Sequence, residues 1–233
     1  MTRRPKLALI SAAVALVMML AAGPASAGAQ STIVLGAAES AQASCPENCL
    51  VEARVTGFQN TIGRLRNPFV VPSEGSILGW SIKLGKPRKP DRRAFNEEFG
   101  GSQARLAILR KVPKTAKPAR YKLIRQSPLE NLASFFGSTT TFTLTTPLAA
   151  RRGDVVALTI PTWAPAFAVN QGSSTKWTAS RRATRKRGPC TEDGGRANVD
   201  AGAPHLKKGS QRPYGCRYDG ARLLYSATFA PAD

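Results

Sequence analysis

At 233 residues with a formal charge of +20, the chain is long enough to bury a full hydrophobic core without metal, while 20 Gly and 17 Pro argue against long helices. The surplus of 34 Lys and Arg over 14 Asp and Glu draws anionic polymers at low salt, bears on partners and solubility, and does not bear on the fold. One histidine, His205, leaves any Ser-His or Cys-His system a single base to work with.

Met1 to Ala27 reads as a cleaved secretory signal helix. Basic Arg3, Arg4 and Lys6 precede an apolar stretch from Leu7 to Ala22, then Gly23 and Pro24, then the small residues Ala25, Ser26 and Ala27. A membrane anchor needs about 20 apolar residues, and this stretch is shorter, with a breaker at its end. The address is therefore secreted or extracellular, including association with the cell wall, and no transmembrane segment remains after cleavage. Residues 28–44, rich in Ala, Gly, Ser and Gln around Ile33 to Leu35, read as a flexible lead-in. A single domain is expected over 45–233.

Within it, period-two alternation predicts strands at Val51 to Thr56, Phe69 to Val71 and Ile77 to Leu84, the last placing Leu78, Trp80, Ile82 and Leu84 on one face. From Gly85 to Gly101 the pattern gives way to a basic, Pro-containing loop, with a turn or two of helix over Arg92 to Phe99. Further strands are expected at Ala104 to Arg110, Tyr121 to Gln126, Thr139 to Thr145 and Val155 to Ile160. Shorter ones follow at Phe167 to Val169 and Thr175 to Thr178, and the chain closes on Arg222 to Phe229, expected to lie next to the first strand. About nine strands separated by turn signals predict an all-β sandwich, because each inner face must be covered by the other.

Four cysteines in an exported chain predict two disulfides. Cys45 with Cys49 and Cys190 with Cys216 is the favoured pairing, the second closing a loop worth about 3 kcal/mol. Zinc is disfavoured, since no Cys-x-x-Cys occurs and only His205 supplies an imidazole. No cofactor is expected.

The runs Phe69-Val-Val-Pro-x-x-Gly-x-Ile-x-Gly-Trp80, Ala104-Arg-Leu-Ala-Ile-Leu-Arg110, Tyr121-Lys-Leu-Ile124 and Pro147-Leu-x-x-x-x-Gly-Asp-Val-Val-Ala-Leu158 resemble those of uncharacterised secreted jelly-roll sandwich proteins of high-GC Gram-positive bacteria. The resemblance spans Cys45 to Phe229. It implies a jelly-roll-like architecture and no activity.

Catalytic patterns are thin. His205, between Pro204 and Leu206, reads as a surface histidine. Ser173 and Lys176 match Ser-x-x-Lys without its companion motifs. Glu97 and Glu98 are adjacent, so they do not face each other across a substrate. Asp193 to Asp200 offers oxygen ligands without EF-hand spacing, and turn chemistry explains it more simply.

Basic clusters are denser. Lys83, Lys86, Arg88, Lys89, Arg92 and Arg93 form one, and Arg181, Arg182, Arg185, Lys186 and Arg187 another. Between Phe99 and Thr191 sixteen Lys and Arg stand against Glu130 and Asp154 alone, which concentrates the surplus in mid-chain. Trp163 and Trp177 admit two readings, a stacking surface for a sugar ring or plugs for the end of the sandwich. The candidate binding residues are accordingly Lys86, Arg88, Lys89, Trp163, Trp177, Arg181, Arg182 and Arg185. The expected partner is an anionic polymer or glycan of the cell envelope. Specific nucleic-acid binding is not expected, because no such fold motif accompanies the charge. The function expected is therefore a non-catalytic basic binding domain; the alternative is a secreted carbohydrate-active hydrolase with dispersed carboxylates.

Overall fold

The computed structural model describes residues 31–36, 41–47, 49–113, 118–181, 190 and 200–232. The expected signal segment, 1–27, lies outside them, as do Arg182 and Arg185. In chain order the strands are β1 (Ile33–Gly36), β2 (Glu52–Ile62), β3 (Leu65–Arg66), β4 (Gly75–Lys83), β5 (Gln103–Lys111), β6 (Arg120–Gln126), β7 (Glu130–Asn131), β8 (Thr139–Ala150), β9 (Val155–Ala164), β10 (Phe167–Ala168), β11 (Lys176–Ala179), β12 (Gln211–Pro213), β13 (Cys216–Asp219), β14 (Arg222–Leu223) and β15 (Tyr225–Pro231). Helix α1 (Lys89–Phe99) interrupts them after β4.

Apart from a separate two-stranded pair of β10 and β14, two large antiparallel sheets make an all-β sandwich. One runs β1-β15-β4-β8; the other runs β12-β6-β5-β9-β2-β11-β13, with β3 pairing β2 and β7 pairing β5. Between them lie Val55, Ile77, Trp80, Ile82, Leu106, Ile108, Leu158, Tyr225 and Phe229, each fully or almost fully buried. Truncating one of the large aromatic members to Ala is expected to cost about 3–5 kcal/mol. Phe69 and Tyr225 stack with centroids 4.1 Å apart, and the Tyr225 hydroxyl donates to the Val156 carbonyl at 3.0 Å, tying β15 to β9 across the two sheets.

Strand β9 is buried at six successive positions, Val155 to Ile160, so both of its faces are covered. On its outer face the Thr159 hydroxyl bonds that of Thr56 from β2 at 2.9 Å, and the Thr56 hydroxyl accepts the His205 amide at 2.9 Å. A cluster of Phe58, Tyr121 and Tyr214 extends this second packed layer, with centroids 5.0 to 5.8 Å apart. The segment leading into β12 thus roofs the larger sheet.

Several expectations change. Ile33–Gly36 is not lead-in but strand: it pairs with β15 and turns Leu35 into the core, while Ile33 and Val34 remain exposed. Gly36, at φ +76, lies where an added Cβ would strike the Phe69 ring. Ala41 and Ala43 pack on Ala168 and Leu224. Phe69 to Val71 is not a strand; Val70 makes a single bridge to Val155 while Phe69 and Val71 are buried beside it. The closing segment divides at Leu224, and β15 lies between β1 and β4, whereas the Val51 segment belongs to the other sheet. Among the described residues the strands number fifteen rather than about nine, the excess being mostly two- to four-residue pieces that alternation cannot register.

Strand β4 breaks register once, at Leu78. Ile77 pairs Leu148 and Phe229, whereas Gly79 pairs Thr143 and Thr228, so Leu78 has no partner on either side and β8 spends Leu144 to Pro147 crossing the same step. An extra residue reverses the parity of everything before it. Ile77 therefore points into the core with Trp80 and Ile82, and Leu78 is left half-buried on the outside.

Both disulfides form as paired from the sequence, Cys45–Cys49 and Cys190–Cys216.

Candidate anion-binding surface

Lys86, Arg88 and Lys89 are exposed on a short segment whose backbone is fixed on both sides: Gly85 donates to the Pro165 carbonyl at 2.8 Å and its own carbonyl accepts the Gly137 amide at 3.1 Å. Pro90 sits in the first turn of α1, where its missing amide is no loss, and Gly100 ends the helix at φ +86. Arg92 and Arg93 extend the basic run along the exposed helix, Arg93 pairing with Glu97 at 2.9 Å.

Trp163 and Trp177 are fully buried and present no ring face to a ligand. Trp163 lies beneath α1, its Nε1 donating to the Gly100 carbonyl at 2.9 Å and to Asn96 Oδ1 at 3.1 Å, with Phe95 and Phe136 at 5.0 and 5.5 Å. It anchors the helix that carries the basic run. Trp177 is elsewhere, stacked on Tyr218 at 4.6 Å.

Arg181 is likewise withdrawn, at 2% exposure. Its guanidinium donates to Glu52 Oε2, the Ala53 carbonyl and the Tyr218 hydroxyl, each at 3.1 Å. Burial pushes the Glu52 carboxyl up against the opposing pull of Arg181. For Arg181 itself burial works downward, but Glu52 and Tyr218 outweigh it and its affinity for the proton rises. A charge held this way is a structural tie between β2 and the end of β11, not a ligand contact.

His205 is a correction of a different kind: it is fully buried, not a surface residue. Its Nε2 lies 3.1 Å from both the carbonyl and the hydroxyl of Ser210, and its Nδ1 lies 3.2 Å from the Tyr214 hydroxyl. A carbonyl only accepts, so Nε2 carries the proton and Nδ1 accepts from Tyr214. The Ser210 hydroxyl donates to the Lys207 carbonyl at 2.6 Å. With no lone pair facing the serine, this pair staples a turn rather than activating a nucleophile. Burial lowers the pKa of His205, partly opposed by its bond to Ser210.

The structure assembles a basic site that sequence reasoning missed. A solvent-open cleft of about 630 Å³ lies where the seam between the sheets meets the β4 irregularity, within the roughly 300–1,000 Å³ range of small-molecule sites. Arg110 from β5, Arg125 from β6 and Arg151 from the turn after β8 line it together with Glu74. Its apolar floor is Leu78, Pro147, Ala149, Ala150, Ala230 and Pro231.

Asp154, 1% exposed, organises two of the arginines. Its carboxylate accepts Arg110 Nε at 2.7 Å and Nη2 at 2.8 Å, and the Arg151 amide at 3.0 Å. Its own amide donates to the Arg151 carbonyl at 3.0 Å, closing a turn that passes through Gly153 at φ +84. The paired carboxylate holds the Arg110 proton more tightly than usual, against a smaller opposing effect of burial. Among the described residues, the guanidinium groups of Arg125 and Arg151 have no protein partner, and both residues are exposed. These three arginines are far apart in sequence, each reading locally as the polar end of a strand or turn; the Pro147 to Leu158 run and its Arg-Arg-Gly-Asp turn was the one local signal.

Among the described residues no group of three or more His, Cys, Asp or Glu side chains is placed to hold a metal ion, and no helix is long and apolar enough to cross a membrane. No family model, curated protein or solved structure matches this chain.

Proposed function

We propose that this chain is an extracellular, non-catalytic binding domain that attaches to an anionic polymer of the cell envelope through its cationic surface. The observation that carries this reading is the cleft mouth, where Arg125 and Arg151 leave two guanidinium forks without partners among the described residues, beside an Arg110 oriented by a buried carboxylate. Arginine suits that task because its planar fork matches the oxygens of carboxylate and phosphate. The exposed Lys86, Arg88 and Lys89 add long-range attraction. Two disulfides accord with an oxidising compartment.

Retention of the purified protein on isolated cell walls tests it. Binding at low salt that is released as salt rises is the expected result, since surface attraction fades beyond a Debye length of about 8 Å at physiological ionic strength. Failure to be retained, or retention indifferent to salt, contradicts it. Turnover of a labelled polysaccharide that Glu97→Gln or Asp200→Asn abolishes would establish a hydrolase instead.

A further inference from the structure

We infer that the cleft between β6 and β8 is a specific subsite for a carboxylated sugar segment, of the hexuronic acid type, rather than one more part of a diffuse basic surface. The inference rests on the polyanion reading and assigns it a place and a ligand class.

The position is built rather than incidental. The missing register step at Leu78 and the four-residue crossing of β8 open the seam at one point, and such irregularities in sheets commonly re-aim side chains beside binding sites. Leu78, turned outward by that step, becomes part of the floor. β8 is the terminal strand of its sheet, so its outer edge presents backbone donors and acceptors to a ligand rich in hydroxyls. One buried carboxylate, Asp154, fixes the Arg110 fork and the backbone turn that bears Arg151, so one of the three cations is held in place and the attachment point of a second is set before any ligand arrives. Preorganised donors lose less freedom on binding.

Charge and shape select the ligand. Among the described residues, three guanidinium groups stand with the two carboxylates Glu74 and Asp154, a local surplus of a single positive charge. That balance suits one singly charged acid group and disfavours a doubly charged phosphate monoester. A phosphodiester polymer on a flexible polyol satisfies the charge but has no ring to cover Leu78, Pro147, Ala149 and Pro231. A pyranose ring presents C–H groups on its face, and its carboxylate extends from the rim toward the forks of Arg125 and Arg151. Glu74, on the same rim, accepts from the hydroxyl groups of the ring.

The test uses the full chain, titrated calorimetrically with a galacturonic acid hexamer, a neutral galactose hexamer and polyglycerol phosphate. Two double variants remove equal charge: Arg125→Ala with Arg151→Ala in the cleft, and Lys86→Ala with Arg88→Ala outside it. All four side chains are exposed, so both proteins should fold, and thermal unfolding checks that they do. The inference predicts that the cleft variant loses at least about tenfold in affinity for the galacturonic acid hexamer while the other loses less than about threefold, and that the neutral hexamer binds at least tenfold more weakly. Equal losses in the two variants would overturn the cleft subsite and leave general charge binding standing. Tighter binding of polyglycerol phosphate than of the hexamer, lost in the cleft variant, would overturn the sugar-acid class. Binding of no polyanion at all would overturn both readings.

Discussion

Arg181 and Arg151 sit on opposite sides of one physical choice. Arg181 is enclosed with Glu52, the Ala53 carbonyl and Tyr218, so its charge is consumed inside the protein. Arg151 contributes only its backbone to the fold, through the turn closed by Asp154, and leaves its side chain in the solvent. Arg110 lies between them, bonded by two of its nitrogens yet opening on the cleft. A count of basic residues therefore overstates the surface available to a partner, and the useful distinction is whether a buried carboxylate encloses the guanidinium or merely aims it.

The sharpest way to break this comparison is to remove a buried partner. Glu52→Ala leaves the Arg181 charge enclosed without compensation and is expected to destabilise the protein by about 3–5 kcal/mol in urea unfolding, with polyanion affinity unchanged. A loss under about 1 kcal/mol would mean that water already reaches the pair. Asp154→Ala comes next. Arg110 is partly open to solvent and can be rehydrated, so a smaller cost of about 1–3 kcal/mol is expected. Unlike the first variant it should also weaken polyanion binding, because the Arg110 fork and the Arg151 turn lose their common anchor. Arg151→Ala marks the other extreme: its stability should stay within about 0.5 kcal/mol of the parent while its affinity for acidic oligosaccharide falls.

A pH profile sharpens the contrast on the roofed face of the larger sheet. His205 has a folded pKa below its ordinary 6.5, so the unfolded chain binds its proton more readily. Its contribution to stability is complete above pH 6.5 and is lost as the pH falls through the depressed native value. His205→Gln should remove that slope from stability measured between pH 6.5 and the acid side, without altering binding at neutral pH. An unchanged slope would assign the acid sensitivity to other groups.

Much of the scaffold was legible because its signals are local. Period-two alternation located β4, β5, β6, β9 and β11 to within a few residues, the Thr-rich run marked β8, and four cysteines sufficed for both disulfides. The buried Trp163 and Trp177 were ambiguous by nature, since a ring on a strand looks the same whether the neighbouring face is core or ligand. What escaped the sequence depends on pairing between distant segments. Leu78 shares the parity of Trp80 on paper, and only the unmatched step against β8 and β15 turns it outward. His205 sits between Pro204 and Leu206 in a segment without regular alternation, and its burial comes from folding back over Thr56. Arg110, Arg125 and Arg151 converge through sheet order, which no run of residues spells out.

The most direct test of the account is an NMR titration that follows the arginine side-chain Nε–Hε signals and the leucine methyl groups as galacturonic acid hexamer is added. The account predicts that Arg125, Arg151 and the Leu78 methyls shift together with one saturating affinity, while the enclosed Arg181 stays still. Saturating shifts confined to Arg88, Arg92 and Arg93 would contradict it, because the ligand would then be reading the basic helix and not the cleft.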